Sequence, residues 1–199
     1  YLTYDGAVSA SRALARSLNV PCVKMLQQYG VDRFRYFLKK LGITTLNKSA
    51  DHYGLTLILG VAEATLWDLC GIYASMARTL NHAEENKQSG NDFHILNYLT
   101  HPSSLAIRPS SLDAASIYLT FESMSEVNRP EIDASWEMFS SSSKIAWKTG
   151  TSFGYRDGWA IGVTPNYVVG VWVGNANGEG RPNLTGIGTA APVLFHIFG

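Results

Sequence analysis

Ile145-Ala146-Trp147-Lys148-Thr149-Gly150-Thr151, continuing through Ser152-Phe153-Gly154-Tyr155-Arg156-Asp157 to Gly158-Trp159, is the stretch whose reading decides the fold. Side chains of an extended chain alternate between two faces, so Ile145 and Trp147 share one face and Ala146 and Lys148 the other. That pattern predicts a strand over 144–151, with a second strand from Gly158 to Val163 after a short connection. Pro165-Asn166 makes a turn, and Tyr167 to Val173, rich in valine and aromatic residues, makes a third strand. Links this short favour antiparallel neighbours. Thr189 to Phe198 reads as a closing helix that offers Leu194, Phe195 and Phe198 for packing.

Upstream the texture changes. Eleven of the 18 glycines fall from Gly150 onward, whereas residues 1–127 read mainly as helices. A first helix is expected near Ala7–Arg16, and Ser17-Leu18-Asn19-Val20 interrupts it before Pro21, which opens a second. Gly30 ends that helix. Asp32 caps a third, with Phe34, Phe37, Leu38 and Leu41 on one face, and Gly42 closes it. Thr65 and Asp68 have capping-box spacing ahead of Leu66, Leu69, Tyr73, Met76 and Leu80, the stripe of a core helix. Residues 81–92 read as an exposed loop, 93–99 as a short strand, and Ser110 or Ser111 as the cap of a helix reaching Met124. The fold class is therefore α+β, a helical part followed by an antiparallel sheet and a C-terminal helix.

Composition narrows the function. The 199 residues carry no net charge, and only 16% are charged, against about 25% in average soluble chains. No basic stripe suits nucleic acid, and no apolar run reaches the ~18 residues of a membrane span. Cys22 and Cys70 lack metal-ligand spacing and read as two buried helix thiols. The five histidines form no metal motif. Lys24, Arg33, Arg35, Lys39 and Lys40 look like a solvated helix face, and Trp147, Trp159 and Trp172 like packing residues of the sheet. Tyr1-Leu2-Thr3-Tyr4 reads as the interior of a longer protein.

The chemistry gathers at Lys148-Thr149-Gly150-Thr151. A cation, two hydroxyls and a glycine at a strand end suit the holding of a carboxylate-bearing peptide beside a reactive carbonyl. A lone Lys-Thr-Gly is weak evidence, since chance places one in roughly one chain of this length in twenty. A Ser-x-Asn such as Ser17-Leu18-Asn19 is weaker still. Together they mean more, because Ser17 and Asn19 sit at a helix break and Lys148 at a strand end.

With these residues the chain resembles the C-terminal portion of a class A penicillin-binding protein transpeptidase domain. The resemblance runs from Ala13-Leu14-Ala15-Arg16-Ser17-Leu18-Asn19-Val20-Pro21 to Ala190-Ala191-Pro192, through Gly60–Arg78, Asn128-Arg129-Pro130-Glu131 and Val171-Trp172-Val173-Gly174-Asn175. It implies a penicilloyl serine transpeptidase, β-lactamase-like fold whose first strands lie outside the chain, leaving an exposed sheet edge open to self-association. It assigns Ser17, Asn19 and Lys148 to catalysis, and Thr149, Gly150 and Thr151 to substrate binding. Peptidoglycan stem peptides and β-lactams are the implied partners, and the extracytoplasmic face of the inner membrane the implied location. No metal or organic cofactor is implied.

The family's nucleophile is a Ser-x-x-Lys. The only formal match, Ser141-Ser142-Ser143-Lys144, lies where the motif strand begins, and an odd offset in a strand points the two side chains to opposite faces. The resemblance places the true nucleophile upstream, so the chain alone is expected to be inactive. Hydrolysis at the same site, as in a carboxypeptidase or β-lactamase, stays open. So does a non-catalytic module that binds wall peptides or a partner.

Overall fold

A computed structural model describes residues 6–84, 110–127 and 145–199. The helical part comprises α1 (Ala10–Ala15), α2 (Asn19–Tyr29), α3 (Val31–Leu41), α4 (Ala50–Tyr53) with a 3₁₀ turn at Gly54–Leu59, α5 (Leu66–Glu84) and α6 (Ala114–Ser125). Strands β1 (Ala146–Thr151), β2 (Asp157–Val163) and β3 (Val168–Gly174) follow, then a π-helical turn at Gly186–Ala190 and α7 (Ala191–Phe198). The sheet is antiparallel in the order β1-β2-β3, with Lys148 opposite Ile161 and Trp159 opposite Trp172. Among the described residues the outer edges of β1 and β3 have no strand partner.

Each face of the sheet is buried by a different layer. Trp147, Ala160 and Val171 pack against Ala190, Ala191, Leu194 and Phe195 of the closing segment. On the other face Ile161 and Val163 meet Ala77 of α5, with Tyr73 and Phe121 alongside. A third cluster, around Leu26, Leu46, Tyr53, Ile72 and Ile117, lies within the helical part. Glycines set how closely these layers approach. A methyl at Gly162 would sit 2.7 Å from the Phe198 ring, and one at Gly170 would sit 2.9 Å from Leu66 and against the Cys70 sulfur. Strand glycines weaken local β preference, so here they mark close contact with α7 and α5.

Several helix ends differ from the sequence expectation. Ser9 caps α1 by accepting the Arg12 N–H, so the helix starts at Ala10 rather than Ala7. The break after it is shorter than expected, because Asn19 and Val20 already belong to α2 and Pro21 stands inside its first turn. Gly30 alone, at φ +95°, separates α2 from α3. Asp32 therefore lies within the first turn of α3 and does not cap it. Asp113, not Ser110 or Ser111, caps α6; the Ser110 hydroxyl is engaged in a local turn with Leu112. Helix α5 continues through Glu84, so 81–84 are not loop. The expected strand at 93–99 and the Ser141–Lys144 segment lie outside the described residues. Arg35 is not solvated: it is half-buried and donates to the Leu46 carbonyl at 3.3 Å. Cys22 and Cys70 are free thiols, half-buried rather than fully so.

Asp68 shows how the helical part is tied together. Its N–H donates to Thr65 Oγ1 at 3.0 Å, as a capping box requires. Its carboxylate turns elsewhere, accepting the Thr44 N–H at 2.9 Å and the Thr44 hydroxyl at 2.7 Å. The first turn of α5 thus clasps the segment after α3. Asp68→Ala is expected to lower stability by about 1–3 kcal/mol. The test is the denaturant midpoint at constant m; a shift worth less than ~0.5 kcal/mol would show that the clasp contributes nothing.

Candidate active site

The site begins with the way α1 ends. The Leu18 N–H reaches back to the Ala13 carbonyl at 2.9 Å and the Ser17 N–H to Leu14 at 3.1 Å. This is the Schellman arrangement, and it places the next residue out in a left-handed conformation normally taken by glycine. Here that residue is Ser17, at φ +52°. A non-glycine residue held so costs on the order of 1–2 kcal/mol. What the serine gains is a partner: Lys148 Nζ, 131 positions away, donates to Ser17 Oγ. The same ammonium donates to the Thr149 carbonyl at 2.8 Å. Asn19, two positions on, is exposed as the first residue of α2.

Burial pushes the Lys148 ammonium below its ordinary value of 10.5, and the nearby Cys22 sulfur offsets part of that shift. Lysine is therefore the costly member of the pair, held by two acceptors with its stem between the layers. Cys22 was not foreseen at the site. It lies in the first turns of α2, five positions after Ser17, and the break in the sequence gave no sign of that turn's direction.

Register explains what the end of β1 offers. The Ser152 N–H pairs with the Asp157 carbonyl at 3.0 Å. In an antiparallel ladder hydrogen-bonded and non-hydrogen-bonded pairs alternate. Gly150–Trp159 and Lys148–Ile161 are then bonded pairs, and the backbone groups of Thr149 and Thr151 point to the free edge. The Lys148 bond to the Thr149 carbonyl agrees with this. The Thr151 N–H is accordingly an outward donor at an exposed residue.

The six candidate residues do not share one face. Lys148 and Gly150 face the helical layer, whereas Thr149 and Thr151 stand on the Trp147 side. The Thr151 hydroxyl accepts the Gly186 N–H at 3.0 Å, which sequence reasoning missed. Gly150 has room: a methyl there would meet only Trp159 Cβ, at 3.8 Å. The chain's own packing does not demand glycine at this exposed position. Beyond β1 a tight turn holds the hairpin, with Ser152 Oγ accepting the Asp157 N–H at 2.9 Å and Asp157 accepting Trp172 Nε1 at 2.9 Å. Trp159 and Trp172 lie side by side across β2 and β3, with ring centroids 6.4 Å apart and planes tilted 59°. A separate cavity of about 310 Å³ between α5, α6 and the β2–β3 turn is lined by none of the six residues. Among the described residues no cluster of three or more metal-ligating side chains occurs.

No protein-family model matches the chain. Penicillin-binding protein 1C of Escherichia coli K12 is 32% identical over 194 residues, covering 98% of this chain and 23% of that protein. Penicillin-binding protein 1B of Vibrio cholerae is 26% identical over 196 residues, 96% of this chain and 24% of that protein. The chain thus spans about a quarter of the length of the curated relatives it matches. Among solved structures, penicillin-binding protein 1A from Haemophilus influenzae superposes with a TM-score of 0.67 at 19% identity, over 94% of this chain and 33% of that one. PBP2 of Pseudomonas aeruginosa in complex with WCK 5153 gives 0.67 at 18% identity, over 98% of this chain and 47% of that one. These structural likenesses establish the shared fold.

Proposed function

Because the chain is a relative of the class A penicillin-binding proteins over part of their transpeptidase domain, we propose that it forms the substrate-holding wall of a serine D,D-transpeptidase. The observation that carries the reading is the hydrogen bond from Lys148 to Ser17, which joins a helix break to a strand end across 131 positions. Ser17 relays a proton to the leaving amine, with Lys148 supporting its hydroxyl and lending positive charge to the cleft. The Asn19 amide holds the donor peptide. Thr149 and Thr151 hydrogen-bond the terminal carboxylate of a D-Ala-D-Ala stem or of a penicillin, and Gly150 leaves space for the substrate backbone. The outward Thr151 N–H supplies half of an oxyanion hole, a donor worth about 3–4 kcal/mol in the transition state.

The acylated serine comes from outside these residues. The one Ser-x-x-Lys in the 199 residues, at Ser141–Lys144, falls where the sequence pattern places the start of the motif strand, and loss of a nucleophilic serine costs about a millionfold in turnover. The parent protein cross-links peptidoglycan on the extracytoplasmic face of the inner membrane. No described helix is long and apolar enough to cross a membrane.

The chain alone is expected to bind N-acetyl-D-Ala-D-Ala reversibly and to form no covalent adduct with a labelled penicillin. Binding is followed by amide shifts at Gly150 and Thr151, and the adduct by gel and mass spectrometry. A penicillin-labelled band abolished by Ser141→Ala would sink the assignment of the nucleophile. Absence of any peptide-induced shift would sink the wall.

A further inference from the structure

We propose that the π-helical turn at Gly186–Ala190 is the positioning element of this site, and that Gly186 orients the Thr151 hydroxyl as a donor to the substrate carboxylate. The inference rests on the function proposed above and adds to it a residue outside every motif the sequence displayed.

Three observations place the turn. Gly186 is buried, and its N–H donates to Thr151 Oγ1 at 3.0 Å. A methyl at Gly186 would lie 2.5 Å from the Trp159 carbonyl oxygen and 3.1 Å from Thr149 Cβ, and would also strike the Gly150 carbonyl. Across the strand pair, a methyl at Gly158 would lie 2.8 Å from Thr189 Oγ1. The turn therefore grips both β1 and β2 at the Gly150–Trp159 and Thr151–Gly158 pairs, on the face opposite Lys148. Gly186 does not have a left-handed φ, so its glycine is required by contact and not by backbone angle.

The turn is itself braced. Thr185 Oγ1 accepts the Gly188 N–H at 3.1 Å, the Thr189 hydroxyl donates to the Thr185 carbonyl at 2.6 Å, and Ala190 and Ala191 are fully buried. Single π-turns of this kind recur at functional sites.

The chemistry follows from the capacity of a hydroxyl, which has one proton to give and two lone pairs to receive. With a lone pair of Thr151 Oγ1 held by the Gly186 N–H, the hydroxyl proton is left to point away from the turn. A substrate carboxylate, which only accepts, meets a donor already aimed. The same tie fixes the end of β1, where the Thr151 N–H faces the free edge. A misplacement of about 1 Å at a reacting centre can cost a hundredfold, so such support is functionally large.

The test uses the 199-residue chain and N-acetyl-D-Ala-D-Ala, with affinity from NMR titration and amide hydrogen exchange as a second readout. Thr151→Val is expected to release the Gly186 amide to exchange and to weaken peptide binding roughly five- to tenfold. Thr151→Ser is expected to restore both. Gly186→Ala, which leaves the Thr151 hydroxyl in place, is expected to weaken binding at least as much. Wild-type affinity in a folded Gly186→Ala chain overturns the proposal. So does a Gly186 amide that stays protected in Thr151→Val, which decides the matter even where Gly186→Ala does not fold. Failure of the unaltered chain to bind the peptide, with the Gly186 amide protected through Thr151, overturns the functional reading and leaves the tie standing.

Discussion

Replacing Lys148 by methionine is expected to weaken peptide binding roughly 10- to 150-fold while leaving the fold at least as stable as before. The first effect follows from the loss of a charge-assisted contact, worth about 1.5–3 kcal/mol. The second follows from the position of the ammonium. Burial lowers its proton affinity, so holding it charged near neutral pH opposes folding. Methionine keeps the length of the stem, fills the same space and removes the desolvated charge. Ser17, being exposed, can give its hydroxyl to water once Lys148 is gone. Residues selected for function commonly lower stability in this way.

The pH dependence provides an independent check. The folded-state proton affinity of Lys148 lies below the ordinary 10.5, so between the two values the unfolded chain binds more protons. Stability contributed by this group therefore rises with pH across that window, and the penalty is fully present below it. Peptide binding runs the other way, falling as the ammonium loses its proton. In Lys148→Met the binding slope and this rise in stability should be lost, leaving the opposite stability slope of Cys70 and Tyr73, whose burial pushes their proton affinities up. Calorimetric melting and peptide titration across alkaline pH measure them. An unchanged affinity, or a melting temperature lowered by more than about 3 °C, would remove Lys148 from the role assigned to it.

Trp147→Ala is expected to produce the largest loss of stability of any single substitution in β1, about 3–5 kcal/mol. Trp147 is 1% exposed and meets Phe195 of α7 edge-on, with ring centroids 4.9 Å apart. Its Nε1 donates to the Val127 carbonyl at 3.2 Å, joining the end of α6 to the sheet. Truncation opens a cavity between sheet and closing helix and leaves a carbonyl without its donor. For a chain of this size the loss corresponds to a fall in melting temperature of about 6–20 °C. A drop smaller than ~3 °C in a thermal scan would show that α7 does not depend on this ring. Trp172→Ala, at a residue 38% exposed, should cost much less.

How far the sequence could be read depended on whether a signal was local. The stripe of α5 was legible because a helix buries one face: Met76 is in the core with Leu69, Tyr73 and Leu80 packed against it, joined by Ile72, which the stripe had left out. Gly30 and Gly42 ended their helices as expected, since each takes a positive φ that costs glycine little. The three strands and their antiparallel order followed from alternation and short links. Cap choices were less secure. Ser110, Ser111 and Asp113 are all chemically able to cap α6, and the direction in which the chain enters the helix selects Asp113. Arg35 looked solvated because helix periodicity does not reveal that the Leu46 carbonyl lies within its reach.

The sequence by itself determined the α+β architecture, the motif strand and the existence of a helix break at Ser17, just ahead of Asn19, because periodicity, glycine and proline act over a few residues. Only the tertiary structure decided that Lys148 reaches Ser17, that Ser17 occupies a glycine-like backbone state, and that the Thr151 hydroxyl is held by Gly186. The first and last of those facts join positions 131 and 35 residues apart. No local preference records such distances; they arise when burial of Trp147, Leu194 and Ile161 closes the layers on the sheet and brings distant backbone into contact.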